Sequence, residues 1–320
     1  MSPSVWIPPY RESDPSPSPL SDSSYDDEEV NVRVRPYWPA YRNLLKHRGF
    51  RLETVGDVKQ YYKGKQDAIS IHAFRSLREL DDDALCPDPG LPDNLFRGTR
   101  ASDGTKVVVK ATHLRSRELA IVSFLSTPPI RNHRMNHCIP VLDIVQHGEV
   151  AFIVMEQWSS QLIPDSGPCC LGSFLGAIRQ CIEHAAFMHS HHIAHLDISL
   201  RNLLTDYQGH YAYIDFELSH IFEEPFPRAY GCRLGTEVPP ECDGPGSYDP
   251  FKVDVFALGV LILRACKMTG HFVPELLEIV RPMLRDDPEQ RPPLTTVLRA
   301  YGDMVGGITP DRLEYCHNSQ

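Results

Sequence analysis

Three residues in the second half of the chain have the types and spacing that phosphoryl transfer needs. Asp197 lies in IAHLDISLRNLL (193–204), Asn202 follows five positions later, and Asp215 comes thirteen positions further on, in IDFE (214–217). A carboxylate among apolar residues can accept or orient the proton of an attacking hydroxyl. An Asn amide oxygen and a second carboxylate are hard donors of the kind Mg²⁺ takes. Asp197 is therefore the candidate catalytic group, and Asn202 and Asp215 are the candidate metal ligands.

Around these residues the chain resembles the eukaryotic protein kinases, whose catalytic loop H-R-D-x-x-x-x-N and D-F-G it nearly repeats. Other landmarks follow in the family's order. TKVVVKAT (105–112) is a β-branched run ending near Lys110, and Glu118 opens the apolar-periodic stretch that follows. AFIVMEQW (151–158) is similar to the fifth strand and hinge. GTEVPPE (235–241), DVFALGV (254–260) and DPEQRP (287–292) resemble the late landmarks. The resemblance covers residues 92–305. It implies an α+β, two-lobe fold with a small β-rich N-lobe and a helical C-lobe, using ATP and Mg. It also implies site roles. Lys110 would hold the α- and β-phosphates, and Glu118 would hold Lys110. Met155, Glu156, Trp158 and Leu204 would contact the nucleotide. Arg201 stands where tyrosine kinases carry an Arg and would offer positive charge to the γ-phosphate.

The chain departs from the family pattern in several places. Leu196 replaces the Arg that pairs with a phosphorylated activation loop. Ser199 stands where Ser/Thr kinases have Lys. CPDPGLPD (86–93) lies where a glycine-rich loop belongs. Its prolines lack N–H groups, and Asp88 and Asp93 should repel a triphosphate, so weakened ATP binding is expected. Glu217 replaces the D-F-G glycine, which should restrict backbone freedom and bring an extra carboxylate beside Asp215. An I-D-F-E site is also similar to those of choline-kinase-like and antibiotic phosphotransferases. Against that alternative, Glu241 and Arg291 should form the buried pair that protein kinases have. Only a short connection is expected at residues 267–272, where kinases commonly insert a docking helix. This combination of losses looks similar to kinase-like proteins expanded in mushroom-forming fungi.

Those residues need elements to position them. The 320-residue chain is 42% hydrophobic and 23% charged, which is enough to bury a sizeable core. SFLGAIRQCIEHAAFMHSHH (173–192) has helical spacing and should precede the catalytic loop. LFRGTRASDGTKVVVK should form two strands joined at Asp103–Gly104. Residues 1–30 are Ser-, Pro- and Asp-rich and are expected to be a disordered tail. Residues 31–91 read as an extension with short helices, one stopped by Gly49 and a second capped by Thr54. Residues 306–320 read as a C-terminal tail.

Composition excludes some function classes. The net charge of −10 disfavours nucleic acid and anionic membranes as partners. The extension does interleave Arg with aromatics. Packing on the main body, aromatics inward and charges outward, explains that pattern better than RNA binding. Nine scattered Cys without a C-x-x-C suit reduced thiols in a cytoplasmic or nuclear monomer. His189, His191, His192 and His195 read as helix-end and core residues rather than metal ligands. The expectation is an ATP- and Mg-dependent protein kinase acting on a protein hydroxyl, Ser or Thr, whose protein substrate is not legible. The alternatives are a pseudokinase scaffold and a small-molecule kinase.

Overall fold

The computed structural model describes residues 31–63, 75–163, 170–224, 227–230, 234–244 and 246–314. The expected tail at 1–30 lies outside the described residues.

β-Branched residues with period-2 burial build the N-lobe sheet. Its strands are β1 (Phe50–Leu52), β2 (Leu95–Arg100), β3 (Lys106–His113), β4 (Val141–His147) and β5 (Val150–Glu156). They pair antiparallel in the order β1-β2-β3-β5-β4. Alternation along the strands gives the sheet two different faces. Val107, Val109, Ala111, Phe152 and Val154 join one cluster with Trp38 and Leu45. Val108, Lys110, Ile153 and Met155 point into the cleft.

Trp38 and Leu45 belong to helix α1 (Trp38–His47), whose Pro39 suits the first helical turn. The Trp38 ring centroid lies 5.2 Å from that of Phe96 and 5.8 Å from that of Phe152. Its indole N–H donates to the Asp93 carbonyl. The basic residues of this region meet acids: Arg42 with Asp83, Arg48 with Asp143, Arg51 with Asp57. α2 (Val55–Tyr62) starts on a capping box between Thr54 and Asp57. Sequence analysis anticipates both helices but not β1. A three-residue strand carries too little pattern to be read alone. β1 lies so close to β2 that a Cβ on Gly98 would meet the Arg51 carbonyl at 2.8 Å. The N-lobe sheet therefore begins at Phe50, inside the stretch read as an extension, and the segment 53–94 joins its first two strands.

Ser116 caps α3 (Arg117–Ser126) by accepting from the Leu119 N–H, so the link from β3 is as short as the Lys110–Glu118 spacing requires. The C-lobe is built on two twenty-residue helices, α4 (Leu171–Ser190) and α5 (Pro250–Thr269). α6 (Pro274–Met283) and α7 (Leu294–Gly306) pack around them over one apolar core. α5 runs on through Thr269, into the connection expected at 267–272, and α6 starts at Pro274, so the link is shorter than expected and no further helix stands in it. Within the stretch read as a C-terminal tail, α8 (Pro310–Glu314) packs on α4, and Arg312 pairs with Glu275. No helix among the described residues is long and apolar enough to cross a membrane.

Candidate active site

Lys110 is the buried hub of the cleft. Its ammonium lies 2.7 Å from Glu118 Oε1, 2.9 Å from Asp215 Oδ1 and 2.9 Å from Glu217 Oε1. β3 supplies Lys110 on its cleft face, and the first turn of α3 supplies Glu118. Burial alone would lower the Lys110 pKa. The carboxylates of Glu118, Asp215 and Glu217 outweigh it and raise it, so the ammonium stays charged at neutral pH. Burial pushes the Glu118 carboxyl up against the pull of Lys110. Glu118 Oε1 also accepts from the Phe216 N–H, which ties α3 to the segment carrying Asp215. Asp215 itself sits at φ +64°, a left-handed conformation rare for a residue with a side chain. Its contact to Lys110 is the visible compensation.

The catalytic loop lies below. Asp197 Oδ2 accepts from Asn202 Nδ2 at 2.7 Å, and Oδ1 accepts from the Thr236 N–H at 2.6 Å. The Thr236 contact needs a close approach by its neighbour, because a Cβ on Gly235 would meet the Leu196 carbonyl at 2.6 Å. Asn202 also accepts the Ile214 N–H on its backbone carbonyl, which joins the loop to the residue before Asp215. From beneath, Asp254 on α5 accepts from the N–H groups of His195 and Leu196 and from His189 Nε2, at 2.7, 2.8 and 2.9 Å. Leu196, in place of the family's Arg, packs against Cys242, Tyr248 and Val253. His195 is buried between Tyr213 and Phe216, and burial lowers its pKa despite nearby acids. Glu241 and Arg291 form the expected pair, with two contacts of 2.5 and 2.8 Å.

Lys110, Glu118, Met155, Glu156, Trp158, Arg201, Leu204 and Asp215 all line one cavity of about 230 Å³. Asp197 and Asn202 are bonded to each other outside that lining. Trp158 donates its indole N–H to Glu156, which braces the hinge side of the cavity. The donors suit a hard cation. Asn202 commits its amide nitrogen to Asp197, which turns the amide oxygen to other use, and Asp215 keeps Oδ2 beyond its contact with Lys110. One oxygen each of Glu118, Asp215 and Glu217 falls within 4.8 Å of the others.

Two expectations about charge change. Asp88 does not face the cavity as a bare carboxylate: Arg97 Nε lies 2.6 Å from it, and Gly90 donates its N–H to it. Asp93 is likewise absent from the lining, and Arg35 lies 3.9 Å from its carboxylate. Glu217 is also paired twice, with Lys110 and with Arg33 at 3.1 Å. Arg33, from the stretch ahead of α1, is a site residue that sequence reasoning missed. Neither a local pattern nor the spacing of the motifs marks it.

A family profile described as protein kinase domain matches residues 94–273. Among curated proteins, the chain is 24% identical over 243 residues to CBL-interacting protein kinase 25 of Oryza sativa subsp. japonica, covering 62% of this chain and 46% of that protein. It is 24% identical over 272 residues to serine/threonine-protein kinase PLK4 of Drosophila persimilis, covering 77% of this chain and 33% of the relative. The chain thus spans less than half the length of these relatives.

Proposed function

This chain belongs to the protein kinase family, and from that premise we propose that it transfers the γ-phosphate of ATP, with Mg²⁺, to a Ser or Thr hydroxyl of a protein. One observation carries the reading: Lys110 joins Glu118 and Asp215 at 2.7 and 2.9 Å, so α3 and the metal-ligand segment are already drawn in. Asp197 is oriented on both oxygens, which leaves it set to take the acceptor's proton. Arg201 on the cavity wall adds positive charge toward the transferred group. Asn202 and Asp215 would hold the divalent cation, which supplies charge neutralisation when bound. The printed name of the PLK4 relative, a serine/threonine-protein kinase, favours Ser/Thr over Tyr. The Glu241–Arg291 pair favours a protein acceptor over a small molecule.

The pseudokinase reading draws on Glu217, whose carboxylate occupies Lys110 where phosphate would sit. The two readings separate in one experiment. Purified protein is warmed with ATP, with and without Mg²⁺, and then assayed for autophosphorylation and for transfer to a generic protein acceptor. Mg²⁺-dependent stabilisation together with transfer supports the kinase. Stabilisation without transfer supports the scaffold. Turnover of choline-like or aminoglycoside acceptors would instead support a small-molecule kinase.

We also place the protein in a reducing compartment, cytoplasmic or nuclear, and as a monomer. The free thiols of Cys86, Cys138, Cys181 and Cys266 favour the compartment. Imaging of a tagged chain and sedimentation test the two points.

A further inference from the structure

The roof of the cleft lacks what kinases use to hold a triphosphate. Gly90 donates its N–H to Asp88 Oδ1, Leu91 donates to the Asp88 carbonyl, and Leu95 donates to the Pro92 carbonyl. Pro92 has no N–H to offer. The amides of Gly90, Leu91 and Leu95 are therefore used inside the roof itself. Cationic side chains must do the work, and four line the cavity: Arg33, Arg97, Lys110 and Arg201. Arg97 is held by Asp88. Lys110 is already shared among three carboxylates. Arg201 stands on the opposite wall, in the short helical turn of the catalytic loop.

Arg33 is placed differently. Its segment is tied to α3, where Asn31 Oδ1 accepts from the Arg117 N–H at 2.9 Å. Its guanidinium reaches Glu217 Oε2 at 3.1 Å, while Glu217 Oε1 lies 2.9 Å from Lys110. One carboxylate therefore separates the two cations. The Arg33 side chain is 46% exposed, so it sits at the mouth of the cleft and does not fill it. Among the described residues its guanidinium makes a single hydrogen bond, which leaves most of its five donors unspent.

We propose that Arg33 is a phosphate-binding residue delivered in cis from the segment ahead of α1, taking over the role of the missing glycine-rich amide cradle. A planar guanidinium suits this work, because it can bind phosphate oxygens through two parallel N–H bonds. Glu217 then has a function: before nucleotide arrives, it parks the Arg33 side chain beside Lys110. The charge balance agrees. Lys110 alone faces Glu118, Asp215 and Glu217, and a triphosphate entering that set would meet an excess of negative charge. Arg33 offsets part of it. The inference rests on the nucleotide-using kinase reading above.

The test measures equilibrium binding of ATP, ADP and adenosine to the full chain in Mg²⁺. It compares wild type, Arg33→Ala and Arg33→Lys by titration calorimetry. Arg33→Ala should weaken ATP by about tenfold or more, roughly 1.4 kcal/mol, and should leave adenosine affinity unchanged. Retained adenosine binding reports an intact cleft, so misfolding cannot mimic the result. Arg33→Lys should recover only part of the ATP affinity, since it restores charge without the fork. Arg33→Ala binding ATP as well as wild type would make the segment a bystander, and tighter binding would make it an occluding strap. Either result overturns the proposal and leaves the kinase reading intact. A wild type that binds none of the three ligands sinks the kinase reading, and this proposal with it.

Discussion

The floor and the roof of the cleft are built by different rules. The floor holds each chemical residue with buried charge. Asp254 fixes the catalytic-loop backbone by two amides and a histidine, and Arg291, with no exposed side-chain surface, pairs with Glu241. The roof is held by apolar contacts of α1 and by ion pairs whose acid is largely exposed, such as Arg42–Asp83 and Lys59–Asp82. Exposed pairs of this kind contribute little each. The tasks proposed for the floor, taking a proton and binding a cation, require particular side chains at particular points. The tasks proposed for the roof, covering a nucleotide and balancing charge, can be met by many residues. The floor therefore keeps its motif, while the roof has been rebuilt.

The largest effects should come from the floor. Asp215→Ala removes the proposed metal donor and a partner of Lys110, so phosphotransfer should fall to background, and Mg²⁺-dependent stabilisation by ATP should vanish. Asp197→Asn keeps the shape but cannot take a proton, so transfer should be lost while calorimetric ATP affinity stays largely unchanged. If Asp215→Ala retained both activity and Mg²⁺ response, the floor would not be the chemical centre, and the contrast would collapse.

Next comes the support beneath it. The Arg291 guanidinium bonds Glu241, the carbonyls of Lys252 and Arg285, and lies 5.0 Å from the Phe256 ring centroid. Arg291→Ala strips the Glu241 carboxylate of its partner and should cost ~3–5 kcal/mol in denaturant unfolding. A loss below about 1 kcal/mol would put this pair in the same class as the exposed pairs of the roof.

What the sequence made legible follows the same division. Asp197, Asn202 and Asp215 could be picked out because phosphoryl transfer calls for those residue types at such a spacing, and the Glu241–Arg291 pair because the resemblance to protein kinases implies it. Lys110 and Glu118 could be read because a β-branched strand followed by an apolar-periodic helix placed them in order. β1 and Arg33 could not. β1 is three residues long and gains its identity only by pairing with Gly98–Arg100, far along the chain. Arg33 reaches the cleft through a contact to Glu217 that spans 184 positions, and no local pattern encodes such a contact. The repulsion expected from Asp88 and Asp93 could not be judged from their positions alone. Their positions suggest the cavity, but pairing with Arg97 and Arg35 decides their charge environment.

A third experiment asks whether the roof is one body with the lobe. Trp38 is buried against Phe96 and Phe152 and donates to Asp93. Trp38→Ala should cost ~3 kcal/mol or more, measured on the same unfolding transition as the sheet. If stability is unchanged, α1 is a detachable cover, and the roof is less a part of the fold than its packing implies.

The smallest effect is a titration within the roof. Burial raises the Asp57 carboxyl, but hydrogen bonds from Arg51 and from the Thr54 backbone and hydroxyl outweigh it and hold it down to about 2. A carboxyl lowered on folding binds fewer protons in the folded state, so it stabilises the fold above its unfolded value of about 3.9. That contribution must fade as the pH drops from there through about 2. Asp57→Asn breaks the ion pair with Arg51 and weakens the cap on α2, and should cost ~1 kcal/mol at neutral pH. The stability curves of wild type and Asp57→Asn should then converge as the pH falls toward 2. The Thr54 amide, which donates to Asp57 Oδ2 at 2.8 Å, should report the same midpoint by NMR. Phosphotransfer at neutral pH should be unaffected, because Asp57 lies outside the cavity. A gap between the two curves that stayed constant down to pH ~2 would mean that the carboxylate's charge contributes nothing there. The roof would then rest on its apolar contacts alone, which makes its difference from the charge-built floor sharper.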